Sequence, residues 1–143
     1  MPITQAMATS FKVQLLNGQQ NFSANTFKLA LYTSSATINE NTTVYSATNE
    51  VASTGNYSAG GNTLTVSVTP TNTGNVAFIS FTNSSWANAT ITANGALIYN
   101  SNLSNAAVCV LAFGGDKTST NGTFAVNFPT ADASNAIIRL TAS

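Results

Sequence analysis

The sequence predicts an all-β fold, a β-sandwich or jelly roll of about eight short strands with one short helix at the N-terminus. Two observations favour this fold. Apolar and polar residues alternate along several segments, which is the pattern of a strand with one face in water. Clusters of Asn, Gly, Ser and Thr, such as residues 58–62, separate these segments and are typical of turns. A chain of 143 residues can bury one core, so we expect a single domain with a helical segment at 1–18 and a sandwich at 26–143.

The helix is predicted at the start of the chain, where Met7, Phe11 and Leu15 recur at every fourth position. Thr4 stands where it could cap the start of this helix, and Gly18 stands where it could end it. The helix would either close one end of the sandwich or dock on a neighbouring subunit through Met7, Phe11 and Leu15.

The remaining apolar segments predict the strands. These are residues 27–32, 64–69, 76–81, 89–99, 106–113, 124–128 and 136–140. Segments 76–81 and 106–113 are apolar on both faces, as expected of strands that lie between two layers or against a partner. Residues 40–54 follow neither period and predict a long loop. Residues 114–122 are rich in turn formers and predict a hairpin connection.

Charged residues make up only 6% of the chain, against roughly 25% in typical globular proteins. Four basic and four acidic residues give a net charge of zero. Because no long-range field attracts polyanions or anionic lipids, we expect neither nucleic acid nor a membrane as a partner. Residues 1–5 lack the features of a secretory signal, so we expect synthesis in a cytoplasm.

Residues 110–119, VLAFGGDKTS, contain elements of a phosphate-binding loop in the wrong arrangement. Leu111 stands where the first glycine is needed, and Asp116 directly precedes Lys117, where its carboxylate would repel phosphate. The segment that follows has the pattern of a strand, so no helix N-terminus faces the loop. The sequence therefore argues against nucleotide binding.

The chain has no histidine and a single cysteine. Nucleophile systems of the Ser-His-Asp and Cys-His types are therefore unavailable, as are ordinary zinc and copper sites. Cys109 alternates with Leu111 and Phe113 on one side of a strand, which predicts a buried thiol rather than a nucleophile.

Paired carboxylates are the remaining route to catalysis, as in glycoside hydrolysis. The predicted hairpin places Asp116 at its tip and Asp132 beyond its far end, about 17 Å away, too far to share one glycosidic bond. Glu40 and Glu50 share a loop but lack an apolar pocket, so we expect ordinary surface acids. No acidic cluster indicates a calcium site. We expect no catalytic residue, cofactor or metal, and thus no enzyme.

Aromatic residues offer a carbohydrate-binding alternative. Trp86, Tyr45 or Tyr57 could stack on a sugar of the host surface while neighbouring amides satisfy its hydroxyls. For Trp86 we favour the other interpretation, an anchor in the core of the sandwich.

Short blocks over nearly the whole chain share one resemblance. They are MPITQAM at 1–7, SFK at 10–12, LLNG at 15–18, TFKLALYTSSAT at 26–37, NEV at 49–51, GALIYN at 95–100, DKTS at 116–119 and AIIRL at 136–140. In this combination the chain resembles a family of small structural proteins of tailed bacteriophages, cyanophages among them. The resemblance implies a place in the phage particle and transfers no catalytic residue.

The expected function is a non-enzymatic virion protein, most specifically a capsid decoration or cement protein. Its partners would be the major capsid protein, whose subunits it bridges, and copies of itself in a homo-oligomer. Strands with little charge to guard their edges are consistent with a protein docked in an assembly. A tail or tail-fibre component with a glycan-binding face is the alternative, as is a tail-tube or head-completion protein.

Overall fold

The computed structural model describes residues 3–141 and is an all-β sandwich of two antiparallel sheets with one short helix, as predicted. The strands are β1 (Ala6–Met7), β2 (Phe27–Tyr32), β3 (Asn62–Leu64), β4 (Val66–Thr73), β5 (Val76–Phe81), β6 (Ser84–Asn100), β7 (Ala106–Val126) and β8 (Ile138–Leu140), and the helix α1 is Thr9–Leu16. The five-stranded sheet has the order β1-β7-β6-β2-β3, and the three-stranded sheet has the order β4-β5-β8. The first two residues of the segment predicted as helical lie outside the described residues.

Aromatic rings join the two sheets. Phe27 of β2 stacks on Phe22 with ring centroids 4.5 Å apart, and it lies 5.9 Å from Phe81 of β5. Phe27, Leu29 and Leu31 alternate along β2 and are almost fully buried, as their spacing predicts. The inner face of β2 therefore forms the centre of the core.

The predicted strand 64–69 is divided between the two sheets. β3 ends at Leu64 in the five-stranded sheet, and β4 begins at Val66 in the three-stranded sheet, with only Thr65 between them. The Thr65 carbonyl accepts a hydrogen bond from the Thr82 N–H, which fixes this crossing. Alternation continues through the crossing, so the sequence alone does not reveal it.

The predicted hairpin at residues 114–122 is wrong. β7 continues through this region, and Lys117, Thr118 and Ser119 pair with residues of β6. The turn formers make bulges instead, and one of them sets residues 113–116 opposite Asn94. Pairing with the long strand β6 thus overrides the local turn preference.

β7 also bends strongly. The rings of Phe113 and Phe124 lie 6.4 Å apart. A straight strand rises about 3.3 Å per residue and would carry these two positions roughly 36 Å apart. The bulges supply the bend, and both rings therefore reach the same region of the surface.

The helix begins later in the chain than predicted, at Thr9, and it ends before Gly18 as predicted. Met7 lies in β1, opposite Cys109, and the Thr4 N–H donates to the Ile38 carbonyl, so Thr4 does not cap the helix. Pairing of β1 with β7 competes with helix formation in this segment. Gly18 follows the helix with a φ of +70°, the left-handed conformation that ends helices.

The loop predicted at residues 40–54 is confirmed. Within it only Val44 and Glu50 form isolated bridges, with Ala106 and Tyr32 respectively. The connection from β2 to β3 is bonded back to β2, because the Val51 N–H donates to the Leu31 carbonyl at 2.9 Å.

Candidate functional site

Helix α1 and the three-stranded sheet border a patch of apolar surface. A cavity of about 260 Å³ lies between them, and its lining includes Leu15, Phe22, Phe78 and Leu140. Leu140 is 50% exposed, and Leu16, which follows Leu15 in the helix, is 90% exposed. We call Leu15, Leu16 and Leu140 the helix-side patch. Large apolar side chains exposed beside a cavity are typical of interaction sites.

The three residues predicted to dock on a partner do not share one exposed face. Phe11 is fully buried, and its ring meets Phe22 edge-on at 5.9 Å, so the expectation that it contacts a partner is wrong. Met7 is half-buried in β1 rather than on the helix. Leu15 is half-buried and lines the cavity. The available signal for the patch was Leu16 itself, which lies about 100° around the helix from Leu15 and therefore off the row that Phe11 and Leu15 form.

A second feature is a carboxylate bound by tyrosines. The Tyr45 hydroxyl donates to Glu50 Oε1 at 2.5 Å, and the Tyr57 hydroxyl donates to Glu50 Oε2 at 2.5 Å. The Gly60 N–H also donates to Oε2, at 2.7 Å. Glu50 is therefore not the ordinary surface acid that the sequence predicts, since three donors of the chain hold its two oxygens.

The other two tyrosines of the chain complete this arrangement. Tyr99 stacks on Tyr45 with ring centroids 4.7 Å apart and donates to the Gly60 carbonyl at 2.7 Å. The Tyr32 hydroxyl donates to the Ser46 carbonyl at 2.6 Å. We call the four tyrosines together with Glu50 the tyrosine cluster.

The tyrosine cluster also completes the edge of β2 beyond the end of β3. The Leu31 N–H donates to the Tyr57 hydroxyl at 2.9 Å, and the Val51 N–H donates to the Leu31 carbonyl at 2.9 Å. Glu50 bridges to Tyr32. Loop residues thus satisfy backbone groups that a neighbouring strand would otherwise satisfy.

Burial is the main cause that raises the pKa of each of the four tyrosine hydroxyls above its ordinary value, and the charge of Glu50 raises it further. For Tyr99 the pKa rises to about 12. Each hydroxyl consequently remains a protonated donor at neutral pH. Chemistry at Glu50 would require displacing the donors that already bind both of its oxygens.

The carbohydrate-binding alternative is not supported by the placement of its residues. Trp86 is 6% exposed and Tyr57 is 2% exposed, so neither presents a ring to a sugar. Trp86 instead packs against Tyr57 at 5.7 Å and Phe124 at 6.2 Å, which confirms the interpretation as a core anchor. Tyr45 is half-buried, and one face of its ring is covered by Tyr99.

The other residues weighed for chemistry lie apart from one another. Cys109 is buried as predicted, and burial raises the pKa of its thiol to about 12. Asp116 accepts a hydrogen bond from the Asn94 side chain at 3.0 Å in the middle of the β6–β7 ladder. Asp132 forms a turn in which the Asn135 side chain and the Ser134 N–H lower the pKa of its carboxyl. Among residues 3–141, no three His, Cys, Asp or Glu side chains are grouped as a metal site requires.

The strand at each edge of the two sheets is protected from pairing with other chains by its geometry more than by charge. Three of the four terminal strands, β1, β3 and β8, have only two or three residues. The fourth, β4, contains Pro70 and two register shifts. Short edges, proline and bulges all hinder edge pairing, so these edges are better protected than the sequence suggests.

The outer edge of β7 is different. β1 pairs with β7 only at Cys109 and Val110, and the Gln5 side chain accepts the Ala112 N–H. From residue 113 to residue 126, no strand of the described chain other than β6 pairs with β7.

Within residues 3–141, no helix is both long and apolar enough to cross a membrane. A comparison of the chain with protein-family models, with curated proteins and with solved structures finds no match.

Proposed function

We propose that this chain is a non-enzymatic structural protein of a bacteriophage particle, a decoration protein that binds the capsid and bridges neighbouring major capsid subunits. The resemblance of its sequence blocks to phage structural proteins suggests the particle. The helix-side patch supplies a surface through which a small sandwich could bind a shell.

The observation that carries the proposal is the exposure of Leu16, at 90%, and of Leu140, at 50%, together with an apolar cavity that Leu15 and Leu140 line. Full burial of one leucine side chain contributes about 1.5–3 kcal/mol. Stable interfaces bury about 1,600 Å² in total, so the helix-side patch would form the centre of a larger contact.

Two further features support an assembly role over catalysis. Both oxygens of Glu50 are bound by hydroxyl and backbone donors of the chain itself, and Cys109 is a buried residue of β7. Glu50 and Cys109 are thus held within the fold rather than presented to a substrate.

The test measures binding to purified capsid shells of the phage that encodes the chain, by co-sedimentation. We expect Leu16→Glu and Leu140→Glu each to weaken binding by roughly tenfold or more, because a charge would have to be buried in an apolar contact. Val44→Glu is the matched control, since Val44 is 49% exposed but lies in the loop that bridges to β7.

Unchanged binding of the Leu16 and Leu140 variants, or equal weakening by Val44→Glu, would contradict this role for the patch. Point substitutions are preferable to removal of residues 1–18, because Ile3, Ala8 and Phe11 belong to the buried core and their loss would disturb the fold. Locating the bound chain by electron cryo-microscopy would distinguish the capsid from a tail position.

A further inference from the structure

We propose that a groove beside β7 binds a single amphiphilic molecule with a carboxylate head and a hydrocarbon chain, as in a fatty acid. The inference goes beyond the proposed function and does not depend on it, because the groove shares no residue with the helix-side patch. Lys117 would bind the carboxylate, and half-buried apolar side chains would bind the chain.

The groove consists of two adjoining cavities. The first has a volume of about 420 Å³ and the second a volume of about 200 Å³. Phe113, Val126 and Asn127 line both of them, so the two cavities meet along these residues. The bend of β7 makes this possible, because it brings the ring of Phe113 to 6.4 Å from that of Phe124. We call the two cavities together the β7 groove.

The two ends of the β7 groove differ in polarity. Lys117 lines the first cavity and not the second, whereas Phe128 and Ile137 line the second and not the first. Gln5 also lines the second cavity, where its side chain accepts the Ala112 N–H. A groove with a cation at one end and apolar side chains at the other is complementary to an amphiphilic anion.

The charge of Lys117 selects the head group. Lys117 is exposed, and among residues 3–141 its ammonium group has no carboxylate or other hydrogen-bond partner. Asp116 lines neither cavity, and its side chain accepts a hydrogen bond from Asn94 at 3.0 Å. No other described residue that lines the groove is charged. One ammonium group balances the single charge of a carboxylate, whereas a phosphate monoester carries nearly two charges.

Half-buried apolar side chains select the hydrocarbon chain. Phe113, Phe128 and Ile137 pack against the core, yet each still lines the β7 groove. A hydrocarbon chain laid along these side chains would remove apolar surface of both partners from water. The molecule would therefore be held at both ends, by charge at one and by burial at the other.

The groove fits one free molecule rather than a membrane surface. It is built on one bent strand and the segments beside it, and it offers one lysine. Four basic and four acidic residues in the whole chain leave no excess positive charge to hold an anionic membrane.

Heteronuclear NMR titration of the full chain with octanoate, below the concentration at which octanoate forms micelles, tests the inference. We expect saturable shifts of the backbone signals of residues 111–118 and 124–128. Hexanoate should bind roughly tenfold more weakly, because two fewer methylene groups are removed from water. Octanol has the same chain without the charge and should bind roughly fivefold more weakly than octanoate.

Three variants separate the two ends of the groove. Lys117→Gln should weaken octanoate binding by roughly fivefold and leave octanol binding unchanged, because it removes the charge alone. Ile137→Thr should weaken the binding of both ligands alike, because it changes the apolar end. Lys12→Gln is the matched control and should change neither, since Lys12 is exposed on α1 and lines neither cavity. Circular dichroism of each variant shows whether the fold is retained.

Several results would overturn the inference. They are a titration without a saturable octanoate site, equal binding of octanoate and octanol, and equal losses in Lys117→Gln and Lys12→Gln. Binding to vesicles of anionic phospholipid without binding of octanoate would also overturn it, because the ligand would then be a membrane surface.

The outcome is separable from that of the proposed function. A chain that binds capsid shells but not octanoate removes the inference and leaves the proposed function standing. A chain that binds octanoate with the expected dependence on Lys117, but has no affinity for shells, leaves the inference standing and removes the capsid role.

Discussion

At the scale of single residues, Glu50 connects three hydrogen-bond donors of the chain. Its carboxylate accepts hydrogen bonds from Tyr45, Tyr57 and Gly60, which come from both sides of it in the chain. Tyr57 in turn accepts the Leu31 N–H, so a single path of hydrogen bonds runs from the edge of β2 to the carboxylate. Hydrogen bonds to a charged group are stronger than those between neutral groups.

Replacing Tyr57 with phenylalanine should therefore be costly. The change removes a bond to Glu50 and leaves the Leu31 N–H without its acceptor inside the fold. We expect the free energy of unfolding to fall by about 1–3 kcal/mol, measured by urea denaturation. Tyr45→Phe is the matched control, because Tyr45 is half-buried and loses its bond to Glu50 without orphaning a backbone group. An equal loss for both variants would contradict the role assigned to Leu31.

At the scale of strands and turns, the sequence predicts well those features that local pattern decides. Alternation in β2 identifies Phe27, Leu29 and Leu31 as core residues, and all three are. The helix end at Gly18 follows from the left-handed conformation that glycine readily adopts. Both depend on neighbours within a few residues.

Features that depend on distant partners are not predictable in this way. Residues 114–122 have the composition of a turn, yet β6 extends far enough to pair with them as a bulged strand. The tyrosine cluster is similar, because Tyr99 reaches Gly60 only after β6 has paired with β2.

The start of β3 provides a prediction at this scale. Gly61 has a φ of +74°, and a Cβ atom added there would lie 1.7 Å from the Leu29 carbonyl oxygen of β2. Gly61→Ala would have to separate β2 from β3, and we expect a loss of about 3 kcal/mol or more in the free energy of unfolding.

Gly74→Ala is the matched control for this change. Gly74 has a similar φ of +60° in the turn between β4 and β5, but a Cβ atom there meets nothing within 4 Å. Only the left-handed conformation should then cost stability, about 1–2 kcal/mol. Thermal and urea unfolding of both variants gives the comparison, and equal losses would show that the close approach to Leu29 is not what requires glycine.

At the scale of the whole molecule, the helix-side patch and the outer edge of β7 belong to different parts of the sandwich. The helix-side patch is built on α1 and the three-stranded sheet, whereas β7 belongs to the five-stranded sheet. A subunit that bridges others needs contacts that can be made at once. Binding through the helix-side patch would leave the five-stranded sheet accessible to a second partner.

The tyrosine cluster, which fastens the long connection to the five-stranded sheet, should make the whole molecule sensitive to alkali. Burial raises the pKa of all four tyrosines in the folded chain, so the folded chain holds these protons to a higher pH than the unfolded chain, whose tyrosines ionise near 10. The stabilisation is fully present below about pH 10 and is lost as the pH rises further, because the unfolded state then binds fewer protons.

We therefore expect stability to be insensitive to the tyrosines up to about pH 10 and to fall steeply above it. Tyrosinate absorbance should rise together with the loss of circular dichroism, because the hydroxyls are released as the connection between β2 and β3 detaches. The chain unfolded in urea provides the reference titration. Four tyrosines that ionise near pH 10 while the fold stays intact would contradict the burial and the hydrogen bonds that define the cluster.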